Sequence, residues 1–206
     1  MDFYKWFSGL LLMPIDEILG WTATILLVPV MVIYFIQTVR GHSTPNPATW
    51  IIWLSVGILN AITYVLIVEQ WAKKTIAIVM VTAVAIIFIY SLLNGKFSPL
   101  RKKEKWALRL TVILATFWII TQNSNVANLL IQGIYIISFW TMIDSLIKGD
   151  AKEKHLPWTM SVFAYGILLI SLLINFSGNY YELFYPIVNG IIGNGIVAFI
   201  AYSKSK

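Results

Sequence analysis

Residues 18–39 read ILGWTATILLVPVMVIYFIQTV and carry no charged side chain. A helix rises about 1.5 Å per residue, so this stretch is long enough to cross a hydrocarbon core of about 30 Å. Working outward, six more apolar blocks follow, separated by turns and charges: Ala48 to Glu69, Thr75 to Asn94, Trp106 to Thr121, Ser124 to Ile147, Pro157 to Asn175 and Tyr181 to Tyr202. Hydrocarbon forces backbone groups to pair within the chain. The pattern therefore predicts an all-α membrane protein of seven transmembrane helices.

Composition points the same way. Hydrophobic residues make up 59% of the 206 residues and charged residues 12%, against about 25% charged in a soluble domain. Seven spans and short loops use the whole length, which leaves no room for a soluble catalytic domain. Cysteine is absent, which excludes disulfides, thiolate metal sites and a cysteine nucleophile.

The net charge of +6 is placed as topology requires, not as nucleic-acid binding requires. Twelve Lys and Arg residues fall on one side: Arg40, the group from Lys96 to Arg109, Lys148, Lys152, Lys154, Lys204 and Lys206. Only Lys5, Lys73 and Lys74 fall on the other. The positive-inside rule then puts the N-terminus outside and the C-terminus in the cytoplasm, as expected for a multi-pass protein of the plasma or inner membrane. Residues 1–17 read as an extracellular segment with Trp6 and Phe7 at headgroup level, and residues 203–206 as a cytoplasmic tail. The basic run 101–105 also suits lipid headgroups.

The loops reveal an internal repeat. Arg40-Gly41-His42-Ser43-Thr44-Pro45-Asn46-Pro47 and Lys148-Gly149-Asp150-Ala151-Lys152-Glu153-Lys154-His155-Leu156-Pro157 are both basic, with Gly early and His central. Both end in Pro, which the first turn of a helix tolerates, and Trp50 or Trp158 follows. This predicts two three-helix units, 18–94 and 124–202, joined by residues 95–123, a basic loop and a linker helix. Three spans invert the chain, so one extra helix lets the second unit start on the same side as the first. The two units are then parallel, a carrier device with a binding site near the midplane.

This 3+1+3 arrangement resembles the SWEET and PQ-loop (MtN3-like) superfamily of small-solute transporters. Local residues carry the resemblance. Ile36-Gln37, the basic turn from Arg40 to Thr44 and Trp50-Ile51-Ile52-Trp53 look like a PQ-loop signature, with Ile36 where that family has proline; the second copy reads Ile143-Asp144. Tyr185-Pro186-Ile187-Val188-Asn189 with Gly190, Gly193 and Gly195 is similar to the last helix of SWEET carriers, in which an Asn faces the sugar pocket and glycines allow close packing. The resemblance implies sugar-like transport by alternating access. A related carrier group for vitamin precursors, and a receptor or assembly factor on the same scaffold, are the alternatives.

Helix depth places a polar layer near the middle: Asn60, Thr82, Gln132, Tyr135, Tyr165, Ser171, Asn189 and Asn194, with Trp53 deep enough to stack on a ring. Amides both donate and accept, which suits a hydroxyl-rich or amide-bearing neutral solute; they also tie membrane helices together. Asn189, Asn60, Thr82, Gln132, Trp53 and Asn194 are the candidate solute contacts. Pro29, in mid-helix, removes a backbone hydrogen bond and is the candidate hinge. The other large Trp residues, Trp50 and Trp158 among them, read as interface anchors.

No ionisable residue falls near the midplane, where such groups mark ion paths. A neutral or zwitterionic solute and facilitated diffusion follow. Asp144 is the candidate for proton coupling, against pairing with Lys148 four residues on. His42 and His155 sit in loops without a carboxylate set, so no metal, cofactor or enzymatic chemistry is expected. The expected partners are the bilayer and a small neutral solute; a homo-oligomer is compatible with the chain but not required.

Overall fold

The computed structural model describes residues 13–45, 47–94 and 102–205. The segment with Trp6 and Phe7, and Lys96 and Arg101 of the basic loop, lie outside the described residues. The described residues hold helices and no strand. In chain order the helices are α1 (Ile15–Val39), α2 (Pro47–Ile67), α3 (Trp71–Asn94), α4 (Lys102–Thr121), α5 (Ser124–Lys148), α6 (His155–Ile174) and α7 (Tyr181–Ser203).

Six of these, all but α4, are long and apolar enough to cross a membrane. This is the architecture of an integral multi-pass membrane protein. Its outer surface agrees: Ile25, Val32, Ile86, Phe163 and Phe199 are each more than half exposed, whereas Asn60, Asn128, Gln132, Asn189 and Asn194 are buried. Apolar outside and polar inside is stable where the surroundings are themselves apolar. The expected span from Trp106 to Thr121 is part of α4, but α4 begins earlier. Lys102, Lys103, Glu104 and Lys105 occupy its first turn and Arg109 its second, and these charges set it apart from the six.

The main helix contacts form a closed ring. α1 packs on α3, α3 on α2, α2 on α5, α5 on α7, α7 on α6, and α6 back on α1; α4 lies against α5 and α2. At one end, here the basic end, α1 and α5 each stop at a glycine with positive φ, Gly41 at 71° and Gly149 at 81°, a conformation a Cβ disfavours. The two loops that follow meet. The Thr44 N–H donates to the Lys152 carbonyl at 3.0 Å, and the Lys152 N–H donates to Thr44 Oγ1 at 2.9 Å. Thr44 and Lys152 are 108 residues apart, the same separation as Gly41 from Gly149 and Trp50 from Trp158.

Two helices depart from expectation. α1 starts at Ile15, not Ile18, so Asp16 and Glu17 lie in its first turn, where carboxylates complement the exposed N–H groups. α7 is not uniformly α-helical. Residues Tyr185–Gly193 form a π-helix, a wider winding that is rare in long runs and concentrates at functional sites. Gly190 sits there against Tyr165, so close that an added Cβ would stand 2.2 Å from the ring. Gly193 meets Phe139 in the same way, while Gly195 has more room. α1, by contrast, runs unbroken through the exposed Pro29.

Candidate functional site

The middle of the ring encloses a cavity of about 20 Å3, room for roughly one water molecule. α2 contributes Trp53, Gly57 and Asn60, α3 contributes Met80 and Val81, and the opposite side supplies Tyr135, Phe139, Trp158, Tyr185, Asn189 and Asn194. A second space of similar size lies toward the basic end and shares Trp53, Met80, Trp158 and Asn194 with the first. Four of the expected solute contacts, Asn189, Asn60, Trp53 and Asn194, therefore meet around one chamber.

Each of the four has a definite setting. Asn60 Oδ1 accepts from Asn128 Nδ2 and from Gln132 Nε2, both at 3.2 Å, and Asn128 also donates to Thr63 Oγ1 at 3.1 Å. This amide cluster ties α2 to α5. The π winding carries Asn194 to Asn189, five residues earlier, where its Nδ2 donates to the Asn189 carbonyl at 2.6 Å. The Trp53 Nε1–H is buried and finds no hydrogen-bond partner among the described residues. A ligand acceptor placed in the chamber would meet this donor.

The other expectations fall elsewhere. Thr82 is exposed, donates to its own Ile78 carbonyl at 2.8 Å, and lines an apolar groove between α1 and α3 with Val28, Val32 and Ile86. Its depth in the helix was readable, but the direction it faces depends on how α3 packs. Gln132 does not line the chamber and backs Asn60 instead. Asp144 pairs with Lys148 at 2.7 Å at the surface, as the four-residue spacing suggested.

Rings close the chamber on both sides. Toward the basic end, Trp53 lies 5.1 Å from Trp50, 5.9 Å from Trp158 and 5.4 Å from Phe139, centroid to centroid, and Tyr34 lies 5.5 Å from Trp50. Trp50 and Trp158 are therefore core residues, 3% and 5% exposed, which corrects their reading as interface anchors. Each follows a loop that folds over the ring and turns its indole inward. Toward the other end, Tyr185 sits among Tyr64, Tyr135 and Tyr165, and its hydroxyl is 2.7 Å from that of Tyr165.

Beyond the tyrosines lies a polar closure that sequence reasoning missed. Asp16 of α1 and Lys73 of α3 form a buried ion pair at 3.0 Å, each side chain 4% exposed. Asn175, at the end of α6, donates to Asp16 Oδ2 at 3.2 Å and accepts at its carbonyl from Lys73 Nζ at 3.3 Å. Tyr64 donates to the Glu182 carbonyl at 3.2 Å. The sequence reading put Asp16 in the extracellular segment 1–17 and Lys73 in an outer loop; only the approach of α1, α3 and α6 buries them. A polar space of about 70 Å3 adjoins them, lined by Glu69, Gln70, Lys73, Asn175, Ser177 and Glu182. Among the described residues no group of three or more His, Asp or Glu is placed to hold a metal ion.

The chain matches no protein-family model, no curated protein and no solved structure.

Proposed function

We propose that the chain is a membrane carrier for a small neutral solute, built from two parallel triplets, α1–α3 and α5–α7, that rock about the central chamber. The observation that carries this reading is the chamber itself. It is lined by amides and rings from both triplets and closed at each end by contacts that cross between them. The packing order supports the repeat: α1-α3-α2 in one triplet corresponds to α5-α7-α6 in the other, and the two joints, α1 with α6 and α2 with α5, exchange under the same two-fold. Thr44 and Lys152, one repeat apart, bond to each other, as equivalent positions do beside a two-fold axis. α4 is then the linker that restores the chain's direction. The basic end is taken as cytoplasmic.

Within this reading Asn189, Asn194 and Trp53 contact the solute, and Asn60 does so while Gln132 and Asn128 hold it in place. The π segment of α7, whose backbone pairing is already irregular, is a better hinge than Pro29. The mixture of rings and amides without charge fits a ring-shaped, hydroxyl- or amide-bearing neutral solute, the class that the SWEET and PQ-loop resemblance implies. A cavity of about 20 Å3 holds no such molecule, so loading requires one closure to open.

The test is counterflow in proteoliposomes with labelled hexoses, disaccharides, nucleosides and neutral amino acids. Saturable exchange of one class, lost in Asn189→Ala while the protein stays folded, supports the carrier. Unchanged exchange in Asn189→Ala removes this residue from the site, and no exchange of any class from folded protein counts against the reading.

A further inference from the structure

Glu153 lies in the α5–α6 loop, outside the solute chamber, yet it is partly buried between α1 and α6, one helix from each proposed triplet. Tyr34 of α1 donates its hydroxyl to Oε1 at 2.8 Å, and Trp158 of α6 donates its indole N–H to Oε2 at 3.2 Å. Tyr34 in turn packs against the rings of Trp50 and Trp158, the latter edge-on at 5.8 Å. One carboxyl thus pins the aromatic closure of the basic end to the opposite triplet. The repeat does not supply a second: 108 residues earlier, the equivalent position is Pro45.

We propose that Glu153 is a proton-binding site that latches the basic-end closure, shut when the carboxyl is protonated and released when it ionises. The proposal rests on the carrier reading, since it needs a closure that opens. The physical reason is desolvation. A carboxylate has about four lone-pair sites to satisfy and loses most of its hydration in this seat, whereas the neutral acid is far less penalised. Opening the loops returns the group to water and favours the charged form.

The direction of the shift agrees. Burial pushes the Glu153 carboxyl up to about 7, against the opposing pull of the Tyr34 and Trp158 donors. No neighbouring charge contributes to this shift, and Asp150 of the same loop is exposed. Arg40, His42, Lys152 and Lys154 are exposed, Lys204 donates to the Leu146 and Ile147 carbonyls, and His155 packs edge-on against Tyr202. Tyr34 is the titratable side chain bonded to Glu153. In the closed seat the proton is retained up to about pH 7, and in the opened loop only up to the ordinary value of 4.5. Across that window a rise in pH favours opening.

Because the chain has no cysteine, two introduced thiols report distance without background. His42→Cys and Lys154→Cys, both exposed and on the two facing loops, are spin-labelled in bilayer discs, and their separation is measured by pulsed electron resonance at about pH 5 and about pH 8. The expected result is a long-distance population about tenfold larger at the higher pH. In Glu153→Gln, which mimics the protonated acid, the short distance should dominate at both. An unchanged distribution in the native background, or a pH response that survives in Glu153→Gln, overturns the latch. Glu153→Ala separates this from failure of the carrier reading. If it lengthens the distance while native protein is indifferent to pH, the closure opens but Glu153 is not its proton switch. If every variant gives one short distance, the closure does not open, and latch and rocking carrier fail together.

Discussion

The two ends of the bundle are closed by different chemistry. The basic end uses rings, with a single carboxyl pinning Tyr34 and Trp158 together. The far end uses an ion pair, Asp16 with Lys73, capped by Asn175. Rings slide past one another with small loss, since aromatic contacts are worth about 0.5–1.5 kcal/mol beyond the area they bury. A buried ion pair separates only if both charges regain a partner or water. In the proposed rocking motion α1 and α3 move together, so opening the far end parts Asn175 of α6 from an ion pair that stays intact, whereas opening the basic end parts Tyr34 of α1 from Glu153.

The largest expected effect lies at the far end. Asp16→Ala or Lys73→Ala leaves one buried charge without its partner and should destabilise the protein by about 3–5 kcal/mol. The double replacement should be much less harmful than the sum of the two, because no charge is then stranded. Thermal unfolding of the three variants in detergent forms the cycle; additive losses would show that the pair does not act as a unit and would remove the contrast between the ends.

Next comes the chamber wall between them. Gly190→Ala drives a methyl into the Tyr165 ring, and overpacking of this kind costs about 1–3 kcal/mol. A melting temperature equal to that of the native protein would mean that the π segment gives way readily. Tyr34→Phe removes one donor from Glu153 while keeping the ring, and should cost about 1–2 kcal/mol. That loss should show in full near pH 5, where the latch is shut, and shrink near pH 8, where ionisation of Glu153 has released the contact. Equal losses at both would detach Tyr34 from the titration. Smallest is Asp144→Asn. The exposed pair with Lys148 contributes at most about 0.5 kcal/mol, so stability and any pH dependence of flux should barely move. A lost pH response in this variant would make Asp144, not Glu153, the proton site.

Much of the chamber was legible in the sequence. Asn60, Asn189, Asn194 and Trp53 stood out because amides and an indole deep inside apolar spans are conspicuous against their neighbours. Thr82 stood out for the same reason, yet it faces outward and satisfies itself on Ile78. A hydroxyl can bond to its own helix, so depth alone does not give direction. Gln132 was read as a solute contact and is a brace for Asn60. Tyr185, Phe139 and Trp158 went unread as chamber residues, because an aromatic ring in a span looks the same whether it faces lipid, a neighbouring helix or a cavity.

By itself, the sequence marked the six helices long and apolar enough to cross a membrane, and two loops alike in residue pattern. Hydrocarbon demands about twenty apolar residues per crossing, and a glycine at positive φ followed by a basic loop and a tryptophan leaves a local mark twice over. Tertiary structure alone decided the rest. Asp16 finds Lys73 because α1 packs on α3. Asn194 reaches Asn189 through a π winding whose register no residue pattern announces. Glu153, an acid in a basic loop, becomes partly buried because Tyr34 of α1 and Trp158 of α6 meet over it. Each of these depends on distant residues meeting, and the free energy of a charge or an amide is set by what surrounds it, not by its place in the chain.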